Sequence, residues 1–432
     1  MTLIYKLKER PNLKQALSNM SWLFADKAFR MVGGILVGAW VARYLGPAQV
    51  GQLNYAISLV TAFSSLALLG LGGIVIRKLI TFPSITYETL GSAFVLQMLA
   101  GVLAAVLAIL SAYILKPQGD STIALVSILS LGLLLKASET FKYWFEARVQ
   151  SKYTIWAESS AFCVSSALKV LLIVNAASLF VFAWVTVLEL LLAAAALTWL
   201  YTMTGGKIGL WRYKPENAKD LLIESWPSLV SGTFVLLTMT MDRLVLMEYV
   251  STTELGIYVA ANVLVSTWYF VPVALGGSIA PRLTEMYLNN PKNYHSYVRW
   301  GYLCFGAVSG LLALSIFIGA ELIIKILYGP AYTGAAQILR IMIWSVVFIS
   351  IASLRGRLLI IEKKQTITLA ITMYGLLFNV ALLLLFVPIY GPIGAAYAFT
   401  LTWALNGMVM PFFFAKTRAH GFMAIGFRGR RQ

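Results

Sequence analysis

Charged side chains are scarce in this sequence. Only 12% of the 432 residues are Asp, Glu, Lys or Arg, whereas 59% belong to the apolar types, and the mean hydropathy is +0.80. A soluble globule of this size needs more polar residues to cover its surface. The composition therefore excludes a soluble protein and predicts an integral membrane protein.

Cysteine and histidine are almost absent, with two residues of each. Cys163 and Cys304 lie inside apolar segments, whereas His295 and His420 lie in polar connections. This pattern excludes a disulfide framework and a thiolate metal site, and a metal-dependent hydrolase needs more ligands than two histidines. We expect no metal and no cofactor.

The alternation of apolar and polar residues that marks outer-membrane strands is also missing. The apolar segments are instead continuous, and each is close to the length of about 20 residues that lets a helix cross a bilayer. We predict an all-α membrane protein with twelve spans, at residues 22–44, 52–76, 90–115, 121–142, 154–174, 177–201, 226–249, 256–279, 298–327, 335–358, 366–388 and 393–415.

Lysine and arginine are unevenly distributed among the connections. They concentrate before the first span, after every even-numbered span and at the chain end, and the other connections hold almost none. The positive-inside rule then predicts that both termini lie in the cytoplasm. Much of the net charge of +17 is explained in this way, so no nucleic-acid partner is expected.

Two features are lacking at the ends of the spans. The polar stretch around Pro11 has no short apolar core of the kind that a cleavable signal peptide contains, so we expect the N-terminus to stay in the cytoplasm. The external connections are short, which excludes a large extracytoplasmic catalytic domain. A membrane polymerase or ligase that acts on lipid-linked sugars is disfavoured for the same reason.

Two short motifs recur at one offset of 205 residues: Tyr44–Gly51 (YLGPAQVG) resembles Tyr249–Gly256 (YVSTTELG), and Gly72–Arg77 (GGIVIR) resembles Gly277–Arg282 (GSIAPR). The repeat predicts two six-helix lobes in the same orientation, related by an axis along the membrane normal. We predict an N-lobe over 1–204, a cytoplasmic linker over 205–220, a C-lobe over 221–415 and a basic tail over 416–432.

Six cations lie deep within the predicted spans: Lys27, Arg30, Lys136, Lys169, Arg243 and Arg340. A single cation at the bilayer centre costs at least about 2.5 kcal/mol, so we expect these side chains to face a watery cavity or an anion. A surplus of arginine and lysine suits phosphate oxygens. The pattern favours an anionic cargo, and a diphosphate in particular.

Ion pairing remains an alternative for several of these cations. Asp26 and Arg30 have the i,i+4 spacing of an intrahelical pair, Lys136 lies near Glu139, and Lys169 and Glu189 have comparable depths on consecutive spans. Adjacent helical residues point in different directions, so Asp242 and Arg243 are not expected to neutralise each other.

The stretch ADKAFRMVGGILVGAWVARYLGPAQVGQLNYAISLV near the N-terminus, the following LGLGGIVIRKL, and YGPAYTGAAQILRIM at Tyr328–Met342 resemble Wzx-type O-antigen and polysaccharide flippases. That family belongs to a superfamily with multidrug extruders and lipid II flippases. The resemblance implies translocation of an undecaprenyl-diphosphate-linked oligosaccharide from the cytoplasmic to the periplasmic leaflet of a bacterial inner membrane, by alternating access and without bond cleavage.

The resemblance also bears on sites and partners. The expected partners are the polyprenyl-diphosphate oligosaccharide, the lipid bilayer, and the polysaccharide polymerase with its chain-length regulator. The six intramembrane cations are the candidates for substrate binding. Candidates for ion-coupled switching are the acids Asp26, Glu158, Glu189 and Asp242.

Two other functions remain open. A multidrug exporter of the same superfamily would share the fold, although organic cations call for an acidic or aromatic cavity rather than a basic one. A membrane polysaccharide polymerase or ligase is the alternative from an enzyme class.

Overall fold

The protein is represented by a computed structural model that describes residues 11–115, 119–362, 364–414 and 417–424. Residues 11–28 are described by their backbone alone. Within these ranges the regular structure is entirely helical, as predicted.

The helices are α1 (Pro11–Ala62), α2 (Ser64–Leu68), α3 (Gly72–Thr81), α4 (Thr86–Leu115), α5 (Asp120–Leu134), α6 (Glu139–Ala147), α7 (Ser151–Val174), α8 (Leu179–Met203), α9 (Pro215–Tyr249), α10 (Thr252–Thr267), α11 (Phe270–Asn289), α12 (Pro291–Leu327), α13 (Ala335–Met342), α14 (Ser345–Ile361), α15 (Gln365–Ala404), α16 (Met410–Phe413) and α17 (Arg418–Ala424).

Eleven segments in the described part of the chain have the length and composition of membrane spans. One of them, Ala370–Phe413, bends at Gly391, and α1 bends at Gly46; both glycines have positive φ. A proline follows each glycine, which is the usual sequence of a helix end and a new helix start. Division at the two kinks, with the second half of α1 and Ser64–Thr81 counted as one interrupted span, gives the twelve predicted spans. The all-α fold class is confirmed.

The second predicted span, 52–76, is less regular than the sequence suggests. Its helix stops at Ala62, and Leu69 and Gly70 both take positive φ before α3 begins. Within this interruption Ser65 donates a hydrogen bond from Oγ to the carbonyl oxygen of Leu229, at 3.2 Å. A hydrophobic run by itself does not indicate such a break, because apolarity is unchanged across it.

The chain forms two compact units. Unit 1 comprises Met1–Val41 and Ala56–Leu236, and unit 2 comprises Ala42–Tyr55 and Leu237–Gln432. The core of unit 1 is rich in aromatic rings, among them Phe141, Trp144 and Tyr201. The core of unit 2 brings α11, α12 and α14 together around Leu283, Phe305 and Leu354.

The polar stretch predicted as a linker, 205–220, lies within unit 1 and packs against its helices. Trp211 donates from Nε1 to the hydroxyl of Tyr201 at 2.9 Å, and Lys214 donates from its backbone N–H to Ser92 at 3.1 Å. The Lys214 ammonium also lies 2.6 Å from the carboxylate of Glu88. The stretch is therefore held at the start of α4.

The two copies of the repeated Tyr-to-Gly motif contact each other reciprocally inside unit 2. A Cβ on Gly51 would lie 2.0 Å from the carbonyl oxygen of Thr252, and a Cβ on Gly256 would lie 1.9 Å from that of Pro47. Pro47 and Thr252 are equivalent positions of the repeat, as are Gly51 and Gly256. This two-fold relation supports the internal repeat, and it explains why both positions carry the one residue without a side chain.

Candidate functional site

Unit 1 contains a cavity of about 220 Å³ whose walls carry six charged side chains. We call it the unit 1 cavity. Its charged residues come from α1, the 3-10 turn Leu135–Ser138, α6, α7 and α8, and they are Arg30, Lys136, Glu139, Lys142, Glu158 and Glu189.

Local sequence explains how three of these charges reach one wall. Lys136, Glu139 and Lys142 follow each other at intervals of three residues, and this spacing puts helical side chains on one face. The 3-10 turn joins α5 to α6 without changing that order. The small side chains of Ser138 and Ala161 also line the cavity and leave room beside the charges.

Glu158 lies at the centre of the charge network. Its carboxylate accepts a hydrogen bond from the guanidinium of Arg30 and forms a salt bridge with the ammonium of Lys142. Lys142 also donates to Glu139 at 2.8 Å. The side chains are half-buried, with 30% of Arg30 and 18% of Lys142 exposed, so neither is screened by bulk water as a surface pair is.

A second ion pair borders the cavity. Lys169 donates to Glu189 at 3.2 Å, and Ser165 donates to the same carboxylate at 2.6 Å. The salt bridge between consecutive spans that the sequence left open is therefore present. Glu189 itself faces the cavity.

The candidates Asp242 and Arg243 form a buried network within unit 2. Asp242 is 1% exposed and accepts hydrogen bonds from the hydroxyl of Tyr258 at 2.6 Å and the amide of Asn262 at 3.4 Å. The guanidinium of Arg243 donates to the amide oxygen of Asn262. The two charged groups thus share Asn262, whose amide group donates to Asp242 and whose amide oxygen accepts from Arg243.

Arg340, also in unit 2, has a more open setting. Its guanidinium lies 3.0 Å from the carboxylate of Glu321, and the two side chains are 37% and 73% exposed. It also lies over the ring of Phe317, 5.9 Å from the centroid. The remaining candidates, Asp26 and Lys27, have their backbone in α1, and their side chains lie outside the described residues.

Sequence reasoning did not single out Lys142 and Glu139 as site residues. Both were visible as an i,i+3 pair in a predicted span, but nothing in a linear pattern shows that Glu158, from the next helix, meets them.

Arg355 of unit 2 was also not singled out from the sequence. It is 5% exposed and donates from Nη1 to the carbonyl oxygens of Asn406 and Gly407, in the π-helical turn Leu405–Val409.

His420 is not a solvated loop residue, although its surroundings in the sequence are polar. Its side chain is 4% exposed, and Nε2 lies 3.1 Å from the carboxylate of Glu362. Lys364 approaches the same carboxylate at 2.7 Å. Burial alone raises the pKa of Glu362, but the hydrogen bonds and charges of His420 and Lys364 outweigh burial and lower this pKa to about 2.

The helical units resemble solved membrane transporters in fold. A multidrug resistance MATE family transporter of the MOP superfamily, in an inward-facing conformation, matches with a TM-score of 0.72 at 14% identity, over 92% of this chain and 96% of that one. The lipid II flippase MurJ matches with a TM-score of 0.71 at 14% identity, over 95% and 90%. The eukaryotic MATE transporter AtDTX14 has a TM-score of 0.60 at 15% identity, over 97% and 98%.

The fold thus defines the class of protein: a multi-pass membrane protein with the architecture of these transporters. In sequence, a family model described as polysaccharide biosynthesis protein matches residues 16–287, and a MatE model matches residues 227–385. No curated protein matches the chain. The chain belongs to the polysaccharide biosynthesis protein family, and the resemblance seen in the sequence is confirmed.

Proposed function

We propose that the protein moves polyprenyl-diphosphate-linked oligosaccharide repeat units from the cytoplasmic to the periplasmic leaflet. The observation that carries this proposal is the cationic pair of Arg30 and Lys142 within membrane-length helices of a polysaccharide biosynthesis family member. Cations at that depth are costly, and they persist where they serve a function.

The chemistry of the unit 1 cavity suits a diphosphate. The guanidinium of Arg30 offers a planar fork to phosphate oxygens, and the ammonium groups of Lys136 and Lys142 act as point charges. A cavity of about 220 Å³ has room for a diphosphate, and we propose that the oligosaccharide extends beyond it.

The finer assignments follow from this proposal. Arg30 and Lys136 bind the diphosphate, and Lys27, Lys169, Arg243 and Arg340 contribute along its path. Ion coupling would use carboxylates among Asp26, Glu158, Glu189 and Asp242. We further propose an undecaprenyl carrier, an O-antigen or related surface polymer, a bacterial inner-membrane location, and cooperation with a polymerase and a chain-length regulator.

Multidrug export is the second candidate, and the MatE match over residues 227–385 favours it. The same fold occurs in a solved multidrug resistance transporter. Against it, the polysaccharide biosynthesis model matches the longer part of the chain, residues 16–287.

Transport assays in proteoliposomes separate the two candidates. A short-chain polyprenyl-diphosphate oligosaccharide is placed in the outer leaflet, and its movement to the protected leaflet is timed. We expect faster movement than in empty vesicles, and at least about tenfold slower movement with Arg30→Ala, the effect of losing about 1.4 kcal/mol of binding. Export of a cationic dye without lipid movement would support the multidrug candidate instead, and sugar polymerisation would indicate an enzyme.

A further inference from the structure

The described side chains of the unit 1 cavity are balanced in charge. Three cations, Arg30, Lys136 and Lys142, face three carboxylates, those of Glu139, Glu158 and Glu189. Among these six lining side chains an anion that enters therefore finds no net positive charge, and Lys169 at the border is already paired with Glu189. The anion gains the full attraction of the cations only if a carboxylate withdraws from them or becomes neutral.

Glu158 is the carboxylate that holds the cations together. Arg30 comes from α1 and Lys142 from α6, and the two meet at the oxygens of this one side chain from α7. Phosphate oxygens form the same kind of charge-assisted contacts with a guanidinium and an ammonium. The carboxylate of Glu158 thus stands where an anionic cargo would bind.

We propose that Glu158 is a resident counter-anion, which the phosphate of the cargo displaces and which then takes up a proton, so that anion binding is linked to proton uptake. The identity of the cargo in this inference rests on the proposed function. The exchange itself depends only on the geometry of Arg30, Glu158 and Lys142.

The surrounding charges determine the sign of the linkage. Once a bound anion holds Arg30 and Lys142, Glu158 is left beside that anion, beside Glu146, which already interacts with it electrostatically, and near Glu139, which shares Lys142 with it. Glu189, which is paired with Lys169, adds a negative charge to the lining, and Lys136 adds a positive one. A carboxylate among like charges favours its protonated form. Cargo affinity should therefore rise as the pH falls.

Binding of farnesyl diphosphate to the purified full-length protein tests this inference, with farnesol as the uncharged probe. Glu158→Gln removes the competing charge, so at about pH 8 this variant should bind farnesyl diphosphate at least about tenfold more tightly than the wild type. Between about pH 8 and pH 6 the wild type should gain affinity relative to the variant. Titration of the probe itself is common to both proteins and cancels in this ratio.

Glu224→Gln is the matched control, because Glu224 also pairs with two cations of unit 1, Arg77 and Lys78, outside the cavity. It should leave the affinity unchanged. Equal or weaker binding by Glu158→Gln, or an affinity ratio that does not change with pH, would overturn the exchange.

Two further measurements keep the inference testable. If Glu158→Gln does not fold, the double variant Lys142→Gln with Glu158→Gln replaces it, because this variant loses one charge of each sign. Its affinity for farnesyl diphosphate relative to the control should no longer depend on pH, although Arg30 should still bind the probe weakly. Retained pH dependence would refute the role of Glu158. Lipid movement in proteoliposomes is scored separately. Exchange without lipid movement would contradict the proposed function alone, and lipid movement without exchange would contradict this inference alone.

Discussion

Individual charged residues in this protein are satisfied by specific local partners. Arg355 illustrates this, because its guanidinium donates to the carbonyl oxygens of Asn406 and Gly407. A π-helical turn disturbs the regular i to i−4 hydrogen bonding of the helix. The arginine thus donates, from another helix, to two carbonyl oxygens at the point where the hydrogen-bonding pattern of the backbone changes.

Replacement of Arg355 by Leu should destabilise the protein by about 1 to 3 kcal/mol, because two buried carbonyl groups lose their donor. Thermal unfolding in detergent measures this change. Arg282→Leu is the control, since Arg282 lies in an exposed pair with Glu285. Equal stability of the two variants would show that Arg355 is not needed to hold the π-helical turn.

The Glu362 cluster predicts a pH dependence of stability. Because the pKa of Glu362 is lowered to about 2 in the folded protein, its charge stabilises the fold above the ordinary carboxyl pKa of about 4.3 and is lost as the pH falls toward 2. The stability difference between wild type and Glu362→Gln should therefore shrink as the pH falls below about 5. Thermal unfolding of both proteins from neutral to acidic pH tests this, with Glu285→Gln as an exposed control.

At the scale of helices, small residues decide where two segments meet. Gly51 and Gly256 approach the backbone of Thr252 and Pro47 so closely that no side chain fits. The sequence revealed these positions only as matching letters of a repeat. Their physical role appears when the two copies are brought together.

Substitution of Ala at either glycine should cost about 1 to 3 kcal/mol, because the backbone must move apart to admit a methyl group. Gly34→Ala provides the control within α1, since a Cβ there meets no atom within 4 Å. It should be neutral or slightly stabilising, as expected for Ala in a helix. Comparable melting temperatures for Gly51→Ala, Gly256→Ala and Gly34→Ala would contradict the close contact between the repeats.

At the scale of the whole molecule, the candidate charges divide between the two units. Arg30, Lys136, Lys169, Glu158 and Glu189 lie in unit 1, and the buried pair of Asp242 and Arg243 lies in unit 2. Under the proposed function, cargo would interact with both units during transport. Each unit then supplies its own essential arginine.

Surface polysaccharide in cells tests this idea. Arg30→Ala and Arg243→Ala should each reduce full-length polymer strongly, because each removes a guanidinium, and with it a planar fork for phosphate oxygens, from inside a membrane-length segment. Arg77→Ala, at an exposed pair with Glu224, should retain normal polymer. Normal expression with full-length polymer in the first two variants would exclude those positions from a shared cationic site.

Much of the fold was predictable because a bilayer imposes strong rules on composition. Segments of about 20 apolar residues must become helices. The twelve predicted spans are found once the kinks at Gly46 and Gly391 are recognised and the interrupted stretch from Pro47 to Thr81 is counted as one span. The break at Leu69 and Gly70 was not predictable. It depends on contacts such as that of Ser65 with Leu229, which are far apart in the chain.

The sequence by itself determined the class of protein, the spans, the repeat and the presence of costly charges inside them, because hydropathy and spacing are local properties. Only the tertiary structure decided which charges meet. Arg30, Lys142 and Glu158 come from three helices, and their salt bridges depend on helix packing rather than on spacing along one segment. Ionic contacts act over a few ångströms in space, so a one-dimensional pattern can reveal that an ion pair is needed without revealing its partners.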